Sequence, residues 1–312
     1  MIFSLSTRWN TVRHDSAEPA IEEILDLGFK NIELGYDLPI HFVPDIKRLI
    51  ENQTIAVTSV HNFCPIPIGA PQGHPELFVL TDTNANARQS AVQHTIRTIE
   101  FASEVGASCV VVHAGRVNLK NMTSKLIALA EAGKQYTDHF EKLKTKLLIL
   151  RDKKAKKNLD SLYKGLEQLL PVCEQFKVKI ALENLPSWEA VPTETEMEQL
   201  IERFRSPMLG YWHDFGHGQV RQNLGFIGHK RWFDKLLPYL AGTHIHDVIP
   251  PAHDHVMPPK GKICFSLFNN AVKSDIPLVF EPAPGTAADD IRVGLAHVRK
   301  EWSVKSINDS GE

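Results

Sequence analysis

Six apolar runs along this chain end in side chains able to ligate a metal. They close as Thr58-Ser59-Val60-His61, Val111-Val112-His113, Ala181-Leu182-Glu183, Tyr211-Trp212-His213-Asp214, Thr243-His244-Ile245-His246-Asp247 and Val279-Phe280-Glu281. Alone, a histidine or glutamate at such a place is ordinarily a hydrogen-bonded residue with no special chemistry. Gathered at one point, glutamates, aspartate and histidines would cost several kcal/mol per buried ion unless their pKa values shifted or a cation neutralised them. A divalent cation is the economical answer. Carboxylates with imidazoles suit Mn2+, Mg2+, Co2+ or Zn2+, and the absence of thiolates from the set argues against a structural zinc.

For these ends to meet, the runs must lie side by side. Short apolar runs alternating with amphipathic stretches predict parallel strands covered by crossover helices. Eight strands are expected, at Ile2–Thr7, Asn31–Tyr36, Ala56–His61, Cys109–His113, Lys179–Glu183, Leu209–Asp214, Gly242–Asp247 and Pro277–Glu281. Ala17–Leu27 predicts the first helix, with Ile21, Ile24, Leu25 and Leu27 at helical spacing and Gly28 as its stop. Eight such units in 312 residues, with no GxGxxG or Walker sequence, fit an α/β fold of the (β/α)8 TIM-barrel type better than an open sheet. The C-terminal strand ends of a barrel form one mouth, and period-2 alternation turns His113, Glu183 and Glu281 toward it. His213 then faces outward, away from the site. The stretch from Gly115 to Lys179 is too long for one crossover and predicts a helical hairpin after strand 4, inserted over about 118–176. One barrel domain is expected over 1–305, with a polar tail over 306–312.

Lys and Arg total 35 against 37 Asp and Glu, a formal charge of −2 that gives no global reason to bind nucleic acid. The basic cluster Lys142, Lys144, Lys146, Arg151, Lys153, Lys154, Lys156 and Lys157 reads as a solvated helix face. Cys64, Cys109, Cys173 and Cys264 show no CxxC spacing, which fits a reducing compartment. With no basic segment leading an apolar run and no apolar stretch near ~20 residues, a cytoplasmic protein without a membrane span is expected.

In Ala181-Leu182-Glu183-Asn184, Asp214-Phe215-Gly216-His217, His244-Ile245-His246-Asp247, His255-Val256-Met257-Pro258-Pro259-Lys260-Gly261 and Phe280-Glu281-Pro282, the sequence resembles the xylose-isomerase-like TIM-barrel superfamily over nearly its whole length. That superfamily includes sugar isomerases and epimerases, inosose dehydratases and metal-dependent apurinic endonucleases. Resemblance to the isomerase and epimerase branch implies a cation held by Glu183, Asp214, His244 and Glu281, with His246 left to an outer position or to substrate. The endonuclease branch uses further ligands, which fall on His61, His113, His217 and His255 as candidates for additional metal or outer positions. Its Asp-x-His pair is replaced here by His253-Asp254-His255, and its Gly-Glu-Gly by Pro259-Lys260-Gly261. The resemblance therefore implies a divalent-metal-dependent sugar or sugar phosphate isomerase or epimerase. The alternatives are an apurinic-endonuclease-like multi-zinc phosphodiesterase, an inosose dehydratase-like lyase and a non-catalytic sugar-binding barrel.

Such an isomerisation removes a proton beside a carbonyl and returns it through an enediolate, and Glu183 and Glu281 are the carboxylates expected to carry it. The expected substrate contacts are His246, Arg116, Trp188 and Lys260, with Trp9, Phe63 and Trp212 as further rings able to stack on a sugar. The partner expected is a small-molecule carbohydrate. Association into a homo-oligomer is compatible with the sequence, and nucleic acid is not expected.

Overall fold

The computed structural model describes residues 1–273 and 276–303, so the polar tail expected over 306–312 lies outside the described residues. Strands β1 (Ile2–Ser6), β2 (Asn31–Leu34), β3 (Ala56–His61), β4 (Cys109–Val112), β5 (Lys179–Glu183), β6 (Leu209–Asp214), β7 (Leu240–Ile245) and β10 (Pro277–Phe280) pair in parallel in that order, and β10 closes back onto β1. A small hairpin, β8 (Asp247–Ile249) with β9 (His253–Val256), stands after β7. The covering helices are α1 (Ala17–Asp26), α2 (Val43–Glu51), α3 (Ala85–Glu104), α4 (Thr123–Glu131), α5 (Asp138–Phe176), α6 (Glu194–Phe204), α7 (Phe215–Asn223), α8 (His229–Leu236) and α9 (Ala288–Ser303). This is the TIM barrel that the strand pattern predicts, with α4 and α5 as the helical elaboration after strand 4. Among the described residues no helix is long and apolar enough to cross a membrane.

Alternation along the strands sorts the core into two layers. Leu5, Ile32, Val60, Val110, Val112, Ile180, Leu182 and Ile245 belong to the large outer layer shared with the helices. Cys109, Val111, Ala181, Trp212, Ala241 and Val279 form a separate cluster inside the barrel. Trp212 fits there because β7 carries Gly242, where a Cβ would lie 2.1 Å from the indole ring. The next inward positions toward the mouth hold the polar residues.

Strands β1, β2, β4 and β10 end one or two residues short of expectation, and the seventh is displaced at both ends. The seventh starts at Leu240 and ends at Ile245, whereas the sequence predicts Gly242–Asp247. Asp247 opens the hairpin instead, because its carboxylate accepts the backbone N–H groups of Val248 (2.8 Å), Gly261 (2.8 Å) and Ile263 (2.9 Å) and folds the following loop around itself.

The elaboration is tied to the barrel by a buried ion pair. Arg151 of α5 donates to both oxygens of Glu196 (2.7 and 2.8 Å) and to the carbonyls of Trp188 and Ala190 (2.7 Å each). Glu196 also completes a capping box with Thr193 at the start of α6. Arg151→Ala strands the Glu196 carboxylate in a buried position, and a loss of about 3–5 kcal/mol in unfolding free energy is expected by chemical denaturation. A change under about 0.5 kcal/mol, the range of ordinary surface substitutions, would show that the pair does not hold α5 in place.

Candidate metal centre

His244 occupies the middle of the mouth. Its Nδ1 lies 3.3 Å from Glu183 Oε1, 3.4 Å from Glu281 Oε2 and 3.7 Å from Asp214 Oδ2, so carboxylates from three other strand ends converge on one point. Its Nε2 faces the other way, 3.1 and 3.2 Å from the two oxygens of Glu33. Glu33 is fully buried and accepts a further hydrogen bond from Ser59 Oγ (2.8 Å). Donation from Nε2–H to Glu33 fixes the tautomer and leaves Nδ1 available to ligate a cation, an arrangement that matches the usual partnership of carboxylate and metal-bound histidine.

The remaining histidines surround this point. Glu183 Oε2 is 3.0 Å from His113 Nε2 and 3.3 Å from His61 Nε2, while its Oε1 is also 3.3 Å from His217 Nδ1. His246 Nε2 meets Asp214 Oδ2 at 2.9 Å, and its ring stacks on His255 at 4.0 Å between centroids. Asn184 pins Asp214 by accepting its backbone N–H (2.8 Å) and donating to its carbonyl (2.9 Å). Among the described residues five donor groups result, His61/His113/Glu183, His61/His244/Glu281, Glu183/Asp214/His244, Asp214/His246/Glu281 and His217/His246/His255, each with its ligand atoms within 4.8 Å of one another. Glu183 belongs to two of them.

Burial alone would raise every carboxyl here and lower every imidazole. It does raise the tendency of Glu183 to protonate, but His113 and His244 outweigh it and hold the carboxyl well below the usual range. Asp214 is likewise lowered, against burial, by His217 and His246. Glu281 is brought to about 2, against burial, by His244, His255 and Arg8. Burial also opposes the charge on His217 and His244, yet Asp214 and Glu183 raise His217 to about 9, and Glu281, Glu33 and Glu183 raise His244 well above its ordinary value. His255, where burial and His246 dominate, falls to about 4. Imidazolium thus supplies the positive charge that the acids demand. A ligating imidazole must be neutral, so a cation entering at pH 7 displaces these protons, and affinity rises with pH until the raised values are passed. Calorimetry of Mn2+ uptake in buffers of different ionisation enthalpy is expected to show at least one proton released per chain. Uptake without release would contradict this charge balance.

The donor set therefore fits a divalent cation: three carboxylates and an imidazole on Nδ1, buried, with an outer carboxylate in place. All eight residues singled out by sequence as metal or additional ligands lie in this cluster. Three of the expected substrate contacts are engaged elsewhere. Arg116 pairs with Glu76 (2.7 Å), Lys260 with Asp290 of α9 (2.5 Å), and the Trp188 ring stacks on Phe226 at 4.8 Å beside the Arg221 guanidinium. Trp9 and Phe63 are packed in the core, the former donating from Nε1 to the Thr286 carbonyl. Trp212 forms the floor of the cluster, edge-on to His244 at 5.1 Å. His213 faces the helix layer as expected, bonded to Tyr211 (2.7 Å) and His229 (3.0 Å). Sequence reasoning missed Glu33; its signal was a lone acid inside the buried run Ile32-Glu33-Leu34.

A family model described as xylose isomerase-like TIM barrel matches residues 21–300. The chain belongs to this family. Among curated relatives, it is 27% identical over 144 residues to an uncharacterized protein of Methanocaldococcus jannaschii, covering 46% of this chain and 54% of that one. The chain spans about half the length of the first curated relatives it matches. A mannonate dehydratase of Thermotoga petrophila is 23% identical over 319 aligned positions, covering 82% of this chain and 88% of the relative. Among solved structures, a D-tagatose 3-epimerase-like protein superposes with a TM-score of 0.68 at 20% identity, over 97% of this chain and 98% of its own. The IolI protein with a bound zinc atom gives 0.66 at 15% identity, over 97% and 98%.

Proposed function

We propose that this family member is a divalent-metal-dependent enzyme acting on sugars, an isomerase or epimerase in which Glu183, Asp214, His244 and Glu281 hold the cation and Glu183 and Glu281 move a proton beside a carbonyl. The observation that carries the reading is the convergence of three carboxylates on His244 Nδ1. The bound cation would act as a Lewis acid on the substrate's carbonyl and hydroxyl oxygens. The protein's own share is positional. Glu183 and Glu281 approach His244 from separate strands, β5 and the end of β10, so a sugar lying across the mouth has a carboxylate at either end of its reacting carbons. Trp212 closes the space beneath it. The sugar-epimerase likeness of the fold neighbour and the bound zinc of IolI are in keeping with this reading. Incubating a panel of ketoses with the Mn2+-loaded protein in deuterated water tests it: deuterium is expected at the carbon beside the carbonyl of an accepted ketose. Turnover without deuterium would point to a hydride shift and leave both glutamates as ligands only.

A second reading, multi-metal phosphodiester hydrolysis, is favoured by one observation: His61 and His113 form a donor group with Glu183, and His217 and His255 form another with His246. Three zinc ions per chain together with cleavage of abasic-site DNA would establish it, and one ion per chain without cleavage would exclude it. The likeness to a mannonate dehydratase keeps a lyase outcome in view, in which the product of the same proton removal loses water. Its mark would be a product lighter by one water.

A further inference from the structure

β1 gives way at Ser6 to a single 3-10 turn, Thr7–Trp9, which delivers Arg8 to the rim of the mouth. Thr7 Oγ1 accepts the backbone N–H of Gly35 (2.9 Å), joining the ends of β1 and β2. A Cβ at Gly35 would lie 3.2 Å from Arg8 Cβ and 2.8 Å from Asp37 Oδ1, so the absence of a side chain there lets β1 and β2 close up beside Arg8. The Arg8 guanidinium lies 5.2 Å from the centroid of the Tyr36 ring, and Tyr36 in turn meets His61 edge-on at 5.1 Å. The fork is thus held in place by an aromatic face rather than by an acid. Its one ionic contact among the described residues is a long one, Nη1 to Glu281 Oε1 at 3.5 Å, and 21% of the side chain stays exposed. Arg151, by contrast, engages both oxygens of Glu196 at 2.7 and 2.8 Å. The charged and polar groups that act on Arg8 are Glu281, Tyr36, Asp37 and Glu183.

We propose that Arg8 receives a carboxylate of the substrate, which makes the substrate a sugar acid whose carboxyl group adjoins the reacting carbons; the inference rests on the sugar-modifying reading above. A guanidinium offers paired N–H groups in one plane, the complement of a carboxylate. Position selects carboxylate over phosphate ester. Glu281 contacts both Arg8 and His244, one oxygen facing each (3.5 and 3.4 Å), so a group received by Arg8 would lie beside Glu281, at the edge of the space between Glu183 and Glu281. That is the place of the first carbon of an acid, not of a phosphate at the far end of a hexose. A cation in the cluster would draw on the charge of Glu281 and leave the guanidinium as an unmatched positive group facing the mouth.

The test is calorimetric binding to the Mn2+-loaded protein with matched ligands: D-gluconate against D-glucitol, D-mannonate against D-mannitol, and D-fructose 6-phosphate against D-fructose. An aldonate is expected to bind at least about 10-fold more tightly than its hexitol, and Arg8→Gln to weaken the aldonate by about 10- to 100-fold with hexitol affinity and Mn2+ content unchanged, the worth of a charge-assisted bond. Arg8→Lys, which keeps the charge without the fork, is expected to lose about 10-fold and decides the matter if the glutamine variant melts early. Equal binding of acids and hexitols, or an acid preference that survives both variants, overturns the inference while leaving the sugar reading intact. Preference for the phosphate ester, lost with Arg8→Gln, overturns the carboxylate assignment. Binding of none of the ligands overturns the sugar reading and this inference with it.

Discussion

Glu183→Gln is expected to weaken Mn2+ or Zn2+ binding by more than about 100-fold, beyond what loss of an outer partner costs. The reason is geometric. Its two oxygens face four imidazoles, those of His61 and His113 on one side and of His217 and His244 on the other, so one carboxylate serves two donor groups. The amide keeps the shape but loses the charge that balances them. Asp214→Asn should cost less, since Asp214 faces three imidazoles, those of His217, His246 and His244, rather than four. Competition against a chelator, with circular dichroism to confirm that both variants remain folded, measures the order. Full metal occupancy in Glu183→Gln would sink the ligand assignment.

The second large effect belongs to Glu281. It stands at the open side of the cluster, with Oε1 toward Arg8 and Oε2 toward His244. Once a turned-over ketose or sugar acid is in hand, Glu281→Gln at saturating metal is expected to lower kcat by about 100- to 10,000-fold, the contribution of a positioned general acid or base. KM should move only a few-fold, because the lost interaction is made in the transition state. A variant running at full speed removes Glu281 from the chemistry. An equal loss in metal content and rate assigns it to ligation alone.

Candidate ligands at strand ends were legible where two local signals agreed: an apolar run with period 2, and a polar residue continuing its inward phase. His113, Glu183 and Glu281 obey both, whereas Asp214 and His244 were assigned through the family resemblance, and the fold supplies the convergence of all five. Glu33 hid because the second run was expected to extend to Tyr36, which made its acid a mid-strand residue; the strand ends at Leu34, with a register shift beside β3 at Ile32/Glu33. Arg8 hid because the chain leaves β1 at Ser6 for a turn that no periodicity marks. The substrate candidates Arg116 and Lys260 were drawn from motif position, while their partners Glu76 and Asp290 lie 40 and 30 residues away and could be found only in three dimensions. Distant pairings of exposed charges are the part of a site that local pattern does not carry.

Trp212 gives the chain an optical window onto its own mouth. Of five tryptophans in the sequence, this ring lies inside the barrel and edge-on to His244, whereas Trp9 and Trp302 donate to the carbonyls of Thr286 and Phe265 and Trp188 stacks on Phe226. A protonated imidazole beside an indole quenches its emission, and a diamagnetic cation that strips the proton from His244 removes the quencher. Zn2+ should therefore brighten the native fluorescence as it enters, and the colourless titration can be followed without label or known substrate.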